Sequence, residues 1–204
     1  PEIQLTPMVC HDGLITSHAM EPVVVFENVK VKDFIGTFNP HMSLLDVKHP
    51  KTYGPLDLHD YYFEHKRQQS QAMMDAMEKL PEVFDAFKDT FGYEYDFIET
   101  YMMEDADVAL VALGSSAGTI KHVIDELREN GKKVGLVKPR FIRPFPAKMI
   151  REALADVKAA AILDRSETFS TQGGPLFGEI QAAMYNSTNR PILMNHVYGL
   201  GGRE

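Results

Sequence analysis

The chain has 204 residues, 44% of them hydrophobic and 25% charged, enough for one well-buried α/β core with length to spare. Its formal charge of -8 withholds the basic face that nucleic-acid binding needs, and no apolar run is long enough to span a bilayer, so nucleic acid and membrane are set aside as partners and a cytoplasmic location is expected. A single cysteine, Cys10, rules out a disulfide framework and any four-thiolate zinc or iron–sulfur site made by this chain alone.

Residues 6–10 form a short strand candidate that ends in the turn signal His11-Asp12-Gly13. Residues 23–26 are a second strand candidate, and residues 29–35 a turn or two of helix. From residue 36 to residue 59 no period persists, and Pro40, Pro50, Pro55, Gly36 and Gly54 break anything longer. Such an aperiodic run is read as an arm lying over another surface. Asp60 then caps a long helix running to about Lys79, with Tyr62, Met73, Ala76, Met77 and Leu80 as its apolar stripe. Pro81 is expected to interrupt it and begin a second helix over residues 81–91, with Val83, Phe84 and Phe87 inward. Residues 60–94 are thus a helical connector, and the alternation over residues 95–102 is that of an antiparallel edge strand.

From Ala106 the pattern becomes regular. Residues 108–113 are a near-continuous apolar run, as in a parallel strand buried on both faces. Gly114, Ser115 and Ser116 turn the chain and offer a hydroxyl cap to a helix whose stripe is Ile120, Val123, Ile124 and Leu127. These two elements predict that Val111 meets Ile124. Asn130-Gly131 supplies the helix stop, and residues 133–138 a second strand parallel to the first. A short helix after Pro146, a strand over residues 159–163, a Ser-, Thr- and Gly-rich loop to Gly174, a helix from Pro175 and a strand over residues 192–197 complete an α/β domain from residue 95 onward. Its fold class is α/β, a mostly parallel sheet with flanking helices.

Among chemistry-bearing residues, the eight histidines match no zinc spacing, and Asp12 is explained as a turn former, so no metal site is assigned. Nucleophile-elbow, Walker and dinucleotide motifs are missing. Lys138, Arg140 and Arg143 lie where a strand leaves the sheet, near the helix start at Ser115 and Ser116. Together they could hold an anion or form an interface. Pairing with Asp164, Glu167 or a partner subunit's carboxylates is the simpler reading of the same residues.

Four segments carry a resemblance: residues 8–23 (MVCHDGLITSHAMEPV), the strand–helix–strand unit ending in RFIRPF at 140–145, residues 163–180 (LDRSETFSTQGGPLFGEI) and residues 197–204 (VYGLGGRE). The second resembles the C-terminal domain of transketolase-like thiamine diphosphate enzymes. All four in this order resemble the alpha subunit of the 2-oxoacid:ferredoxin oxidoreductases, the family of pyruvate synthase. The resemblance implies that residues 1–35 are the remnant of a preceding pyrimidine-binding domain, with Asp12, Gly13, Ser17 and His18 at the domain junction. Residues 36–59 become the interdomain arm and residues 95–204 the transketolase C-terminal-like domain. Beginning at Pro1, the chain is expected to be a piece of a longer subunit.

The family oxidatively decarboxylates a 2-oxoacid to acyl-CoA with thiamine diphosphate, magnesium and iron–sulfur clusters, in anaerobic metabolism. No Gly-Asp-Gly magnesium-diphosphate motif occurs in this chain. The resemblance therefore implies a scaffold or interface within a catalytic complex. No catalytic residue and no cofactor would belong to these residues alone, which would be inactive by themselves. The implied partners are the other subunits and the N-terminal domain, with ferredoxin and coenzyme A meeting the whole complex. Two other readings stay open: the equivalent domain of a 2-oxoacid dehydrogenase beta subunit, and an independent α/β ligand-binding or regulatory module.

Overall fold

The structure, a computed structural model, describes residues 3–40 and 42–202; His41, inside the expected arm, and Arg203 and Glu204, at the end of the fourth resemblance segment, lie outside them. The chain divides into two compact units, one of Glu21–Glu94 with the residues before Val9, the other of Val9–Met20 with the residues from Tyr95 onward.

The larger unit holds one five-stranded sheet made of β1 (Ile98–Tyr101), β2 (Val108–Val111), β3 (Val134–Pro139), β4 (Ala159–Asp164) and β5 (Ile192–Val197), in the order β1-β3-β2-β4-β5. Only β1 runs antiparallel, along β3, as the alternation of residues 95–102 predicts. The other pairings are parallel, so the mostly parallel α/β class is the one observed. One short helical turn, α1 (Ile15–His18), also belongs to this unit, at a place where no helix was expected.

Two apolar layers sandwich the sheet. On one face the helix between β2 and β3 (Ser116–Glu129) places Ala117, Ile120 and Ile124 against Ala112 and Leu136. On the other, the helix Ala147–Ala153 brings Ile150 and the following Leu154, and the helix Pro175–Met184 brings Leu176, Ile180 and Met184, against Val111, Val137 and Ile162. Val111 and Ile124 therefore lie on opposite faces and do not meet. A strand buried on both sides carries no alternation, so its apolar run cannot say which residues face which helix. Leu110, level with Leu136 in the register, is the strand's contribution to the Ile124 side. Val123 is also exposed rather than in the stripe.

The helix Ser116–Glu129 ends as its Asn130-Gly131 dictates. Gly131 takes φ +75°, its amide donates to Arg128 O at 2.9 Å, and the Lys132 amide donates to Leu127 O at 3.0 Å, the paired bonds of a Schellman stop. At its start, Ser115 is in helical geometry and makes no side-chain cap, contrary to expectation.

In the smaller unit, α2 (Asn28–Ile35) matches its expected position, while α3 (Tyr62–Phe91) differs from expectation at both of its marked points. It starts behind Tyr61 without a side-chain cap, because Asp60 turns to His59 Nε2 at 3.2 Å. It also continues through Pro81. The proline is exposed, so water can serve the carbonyl it leaves unbonded, and the partly buried Met73, Met77, Leu80, Phe84 and Phe87 repeat at three- and four-residue steps across it. Phe26, Phe34, Phe87, Phe91 and Tyr93 form an aromatic cluster, Phe26 and Phe91 having ring centroids 4.4 Å apart. Neither residues 6–10 nor residues 23–26 join a sheet, so both strand expectations fail for want of a neighbouring edge among the described residues.

With β1, β2, β3, β4, β5 and α1, α2, α3 placed, the sheet unit's remaining helices are α4 (Ser116–Glu129), α5 (Ala147–Ala153) and α6 (Pro175–Met184). The chain leaves β2 for β3 past α4, then returns beyond β2 to β4 past α5 on the opposite face. Strand order therefore reverses between β2 and β4, where α/β sheets open a crevice at their carboxyl edge.

Candidate functional site

At that edge a cleft of about 310 Å³ is lined by Leu113 beyond β2, Ile142 and Arg143 beyond β3, Asp164 and Arg165 at the end of β4, and Tyr198 beyond β5, with Leu176 and Glu179 of α6 closing it. Its floor is built around Asp164, 4% exposed. The Asp164 carboxylate accepts the Leu176 and Phe177 amides at 2.8 and 3.0 Å and Asn195 Nδ2 at 3.0 Å. The two amides are free donors of the first turn of α6, so the charge also meets the positive end of that helix. Asn195 Oδ1 in turn accepts the Gly174 amide at 3.0 Å. A side chain at position 174 would put its Cβ 2.2 Å from Asp164 Cγ, so only glycine lets the loop pass this close.

The carboxylates expected to balance the basic set are thus occupied elsewhere. Asp164 caps α6, and Glu167 Oε1 accepts the amides of Thr168 and Phe169 at 2.9 and 3.1 Å. Arg143 pairs instead with Glu179 at 2.6 Å and donates to its own Ile142 O at 2.6 Å, on the rim of the cleft. Lys138 and Arg140 meet Glu99 of β1, at 3.7 and 2.7 Å, and Lys121 of α4 hydrogen-bonds the same carboxylate. Burial pushes the Glu99 carboxyl up, but the Lys121 hydrogen bond and the charges of Arg140 and Lys138 outweigh it and hold it below the usual glutamate value. The five residues read from the sequence as one group are therefore divided among three places.

Ser115 and Ser116 occupy the third. Ser116 Oγ lies 2.5 Å from the Tyr198 hydroxyl, tying the start of α4 to the segment beyond β5, and the Ser115 hydroxyl bonds Asp12. Asp12 holds α1 together through the Thr16 amide at 2.9 Å and the Thr16 hydroxyl at 3.0 Å. Ser115 first, and then the Thr16 amide, keep its carboxyl well below the usual aspartate range. Beside it Ser17 Oγ donates to Gly13 O at 2.6 Å and lies 2.7 Å from His18 Nδ1. Asp12, Gly13, Ser17 and His18, expected at a domain junction, thus form one local knot that reaches Ser115 through Asp12.

Sequence reasoning missed Glu99, Lys121, Glu179 and Tyr198. The alternation of β1 places Glu99 and Tyr101 on one face, and Tyr101 donates to Asp125 of α4 at 2.6 Å, so strand parity was the signal that could have brought Glu99 to Lys121.

Among the described residues, no three His, Cys, Asp or Glu side chains come together as metal ligands. The carboxylates nearest the basic groups are engaged, Glu99 and Glu179 by cations and Asp164 by amides. This donor set does not fit a magnesium-bound diphosphate. No helix among the described residues is long and apolar enough to cross a membrane.

Two family models match the chain: "Pyruvate:ferredoxin oxidoreductase core domain II" over residues 106–204, and "Pyruvate flavodoxin/ferredoxin oxidoreductase, thiamine diP-bdg" over residues 2–85. The pyruvate synthase subunit PorA of Thermotoga maritima is 48% identical over 203 residues, covering 100% of this chain and 52% of the relative. That of Methanosarcina barkeri is 37% identical, covering 100% and 50%. The ketoisovalerate oxidoreductase subunit VorA of Pyrococcus horikoshii is 36% identical, covering 99% and 51%. The chain spans about half the length of the curated relatives it matches. Models of pyruvate:ferredoxin oxidoreductase domains thus match the chain on both sides of residue 100, and the chain is similar along its whole length to PorA subunits of pyruvate synthase.

Proposed function

We propose that the chain is the C-terminal part of the alpha subunit of a 2-oxoacid:ferredoxin oxidoreductase, with pyruvate as the first substrate to test, and that it serves the assembled enzyme as scaffold and interface. The observation that carries this is the 48% identity with a PorA subunit along the whole chain. The geometry agrees, since the polar groups at the carboxyl edge are spent on capping and ion pairs inside the unit. Oxidative decarboxylation to acyl-CoA then draws on thiamine diphosphate, magnesium and iron–sulfur clusters held with the remainder of the subunit and its partners. Ferredoxin and coenzyme A are met by that whole. The residues from Tyr95 onward serve as the transketolase C-terminal-like domain, residues 36–59 as an arm across a neighbouring surface, and the Asp12 knot as the junction. A cytoplasmic location follows from the same reading.

The test compares the complete subunit, assembled with its partners, against this chain alone. The assembly should reduce a low-potential acceptor in the presence of pyruvate and coenzyme A, and side-by-side assays with 2-oxoisovalerate rank the substrates. The chain alone should show no turnover, and adding magnesium should create no stoichiometric thiamine diphosphate site in calorimetry. Turnover, or micromolar thiamine diphosphate binding that requires magnesium, by the 204 residues would overturn the scaffold assignment.

A further inference from the structure

The surroundings of Glu99 are unbalanced in charge and in hydrogen bonding. Three cations, Lys121, Lys138 and Arg140, each lie within 3.7 Å of its carboxylate, and the side chains are only partly exposed, from 19% for Glu99 to 34% for Lys121. One negative charge against three positive ones leaves a surplus of two, in a chain whose overall formal charge is -8. Two acids on the same elements, Asp125 of α4 and Asp96 just before β1, do not correct it. Asp125 Oδ1 accepts the Tyr101 hydroxyl and Asp96 Oδ1 the Phe97 amide, and neither pairs with any of the three cations.

Donors are in surplus as well. At 3.7 Å the Lys138 ammonium is an ion pair with Glu99 but not a hydrogen bond, and among the described residues it has no hydrogen-bond acceptor. Arg140 spends one terminal nitrogen on Glu99 while its guanidinium lies 5.0 Å from the Tyr95 ring centroid, and among the described residues its other side-chain nitrogens have no hydrogen-bond acceptor. Lys121 sits 5.4 Å from the Tyr101 ring centroid and gives one bond to Glu99. Fixed, partly dry cations with open donors and a charge surplus of two match a phosphoryl group, which carries close to two negative charges and three acceptor oxygens at neutral pH.

We infer that Lys121, Lys138 and Arg140, gathered on Glu99 at the β1–β3 edge, form a binding site for a phosphoryl group of a small molecule. Glu99 organises the cations and at the same time competes with the ligand. This gives the site a signature of opposite signs.

The probe is inorganic pyrophosphate, titrated into the 204-residue chain and followed by calorimetry and by amide shifts of residues 98–101 and 134–140. Saturable binding is expected, weakened about tenfold or more by Lys138→Gln, which removes a charge-assisted donor. Binding should tighten in Glu99→Gln, where the competing charge is gone, and stay unchanged in Lys148→Gln, an exposed lysine on α5. Thermal melts of each variant separate loss of folding from loss of binding, and Lys138→Gln carries the test if Glu99→Gln does not fold. No saturable binding, or equal weakening by Lys138→Gln and Lys148→Gln, would overturn the site. So would a hexaglutamate peptide binding more tightly than pyrophosphate, which would make the cluster a protein contact.

Discussion

The two compact units differ in where their apolar side chains go. In the sheet unit they close over one another in two layers, and of the buried apolar residues in the described chain only Ala76 belongs to the other unit. The helical unit exposes Val23, Val24, Val25, Leu44, Leu45 and Phe63, each more than half accessible. Both units are made from similar residue types, so composition does not separate them. Periodicity does: residues 106–197 repeat at strand and helix spacing, whereas residues 36–59 repeat at neither. A surface with this much exposed apolar area is one built to be covered, which is the interface role proposed above.

The strongest way to break the comparison is to place the same charge in both units. Val111→Asp buries an unpaired carboxylate at a fully inaccessible position in β2 and should cost several kcal/mol, enough to abolish a cooperative melt of a marginally stable domain. Val24→Asp, at a position 64% exposed, should move the thermal midpoint of the isolated chain hardly at all and should instead impair assembly with partner subunits. Equal melting of the two variants would mean that the units are not organised differently. The next largest effect is expected at Gly174→Ala. Its Cβ would fall 2.2 Å from Asp164 Cγ, forcing apart the bonds that cap α6, for a loss of about 1–3 kcal/mol in chemical denaturation. A smaller loss would show that the Asp164–Asn195 pair can shift aside.

The sequence made the sheet unit legible where local rules agree. The Asn130-Gly131 stop, Pro175 at the first turn of α6 and the antiparallel β1 all occur as read, because each depends on backbone preferences within a few residues. It failed where tertiary parity decides. The run 108–113 could not show that Val111 turns away from Ile124, and nothing near Arg140 or Arg143 in sequence identifies Glu99 or Glu179, which are 41 and 36 residues away. Pro81 misled for a related reason. Its cost to a helix depends on whether the face it occupies is wet, which only packing settles.

Proteolysis sharpens the same contrast without mutation. The described residues of the stretch 36–59 carry no helix or strand, so in the isolated chain this stretch should be cut well before residues 106–197, whose amides lie in the sheet and its helices. Mass spectrometry of the early fragments reads the order directly. Protection of the arm equal to that of β2 would mean that it packs firmly on its own unit. Adding partner subunits should slow the early cuts if the arm crosses a neighbouring surface.

The smallest expected effect concerns the Asp12 knot, which anchors Val9–Met20 within the sheet unit although that segment lies far from β1 in sequence. Asp12 is only partly covered, so its bonds to Ser115 and Thr16 are local ties and not core energy. The Ser115 hydroxyl and the Thr16 amide favour the ionised carboxylate, which puts the folded-state pKa below the ordinary value of 3.8. A group depressed in this way contributes stability that is fully present above its ordinary value and is lost as pH falls through the folded one. The ionised anchor should therefore be intact at neutral pH and begin to fail only below pH 3.8. Asp12→Asn should speed exchange of the Thr16 amide relative to the parent at neutral pH. The difference should shrink as the comparison is repeated at falling pH below 3.8, where the parent loses its own charge, while the amides of β2 exchange alike in both proteins throughout. A difference at Thr16 that persisted undiminished in acid would mean that the charge of Asp12 contributes nothing and that its shape alone holds the turn.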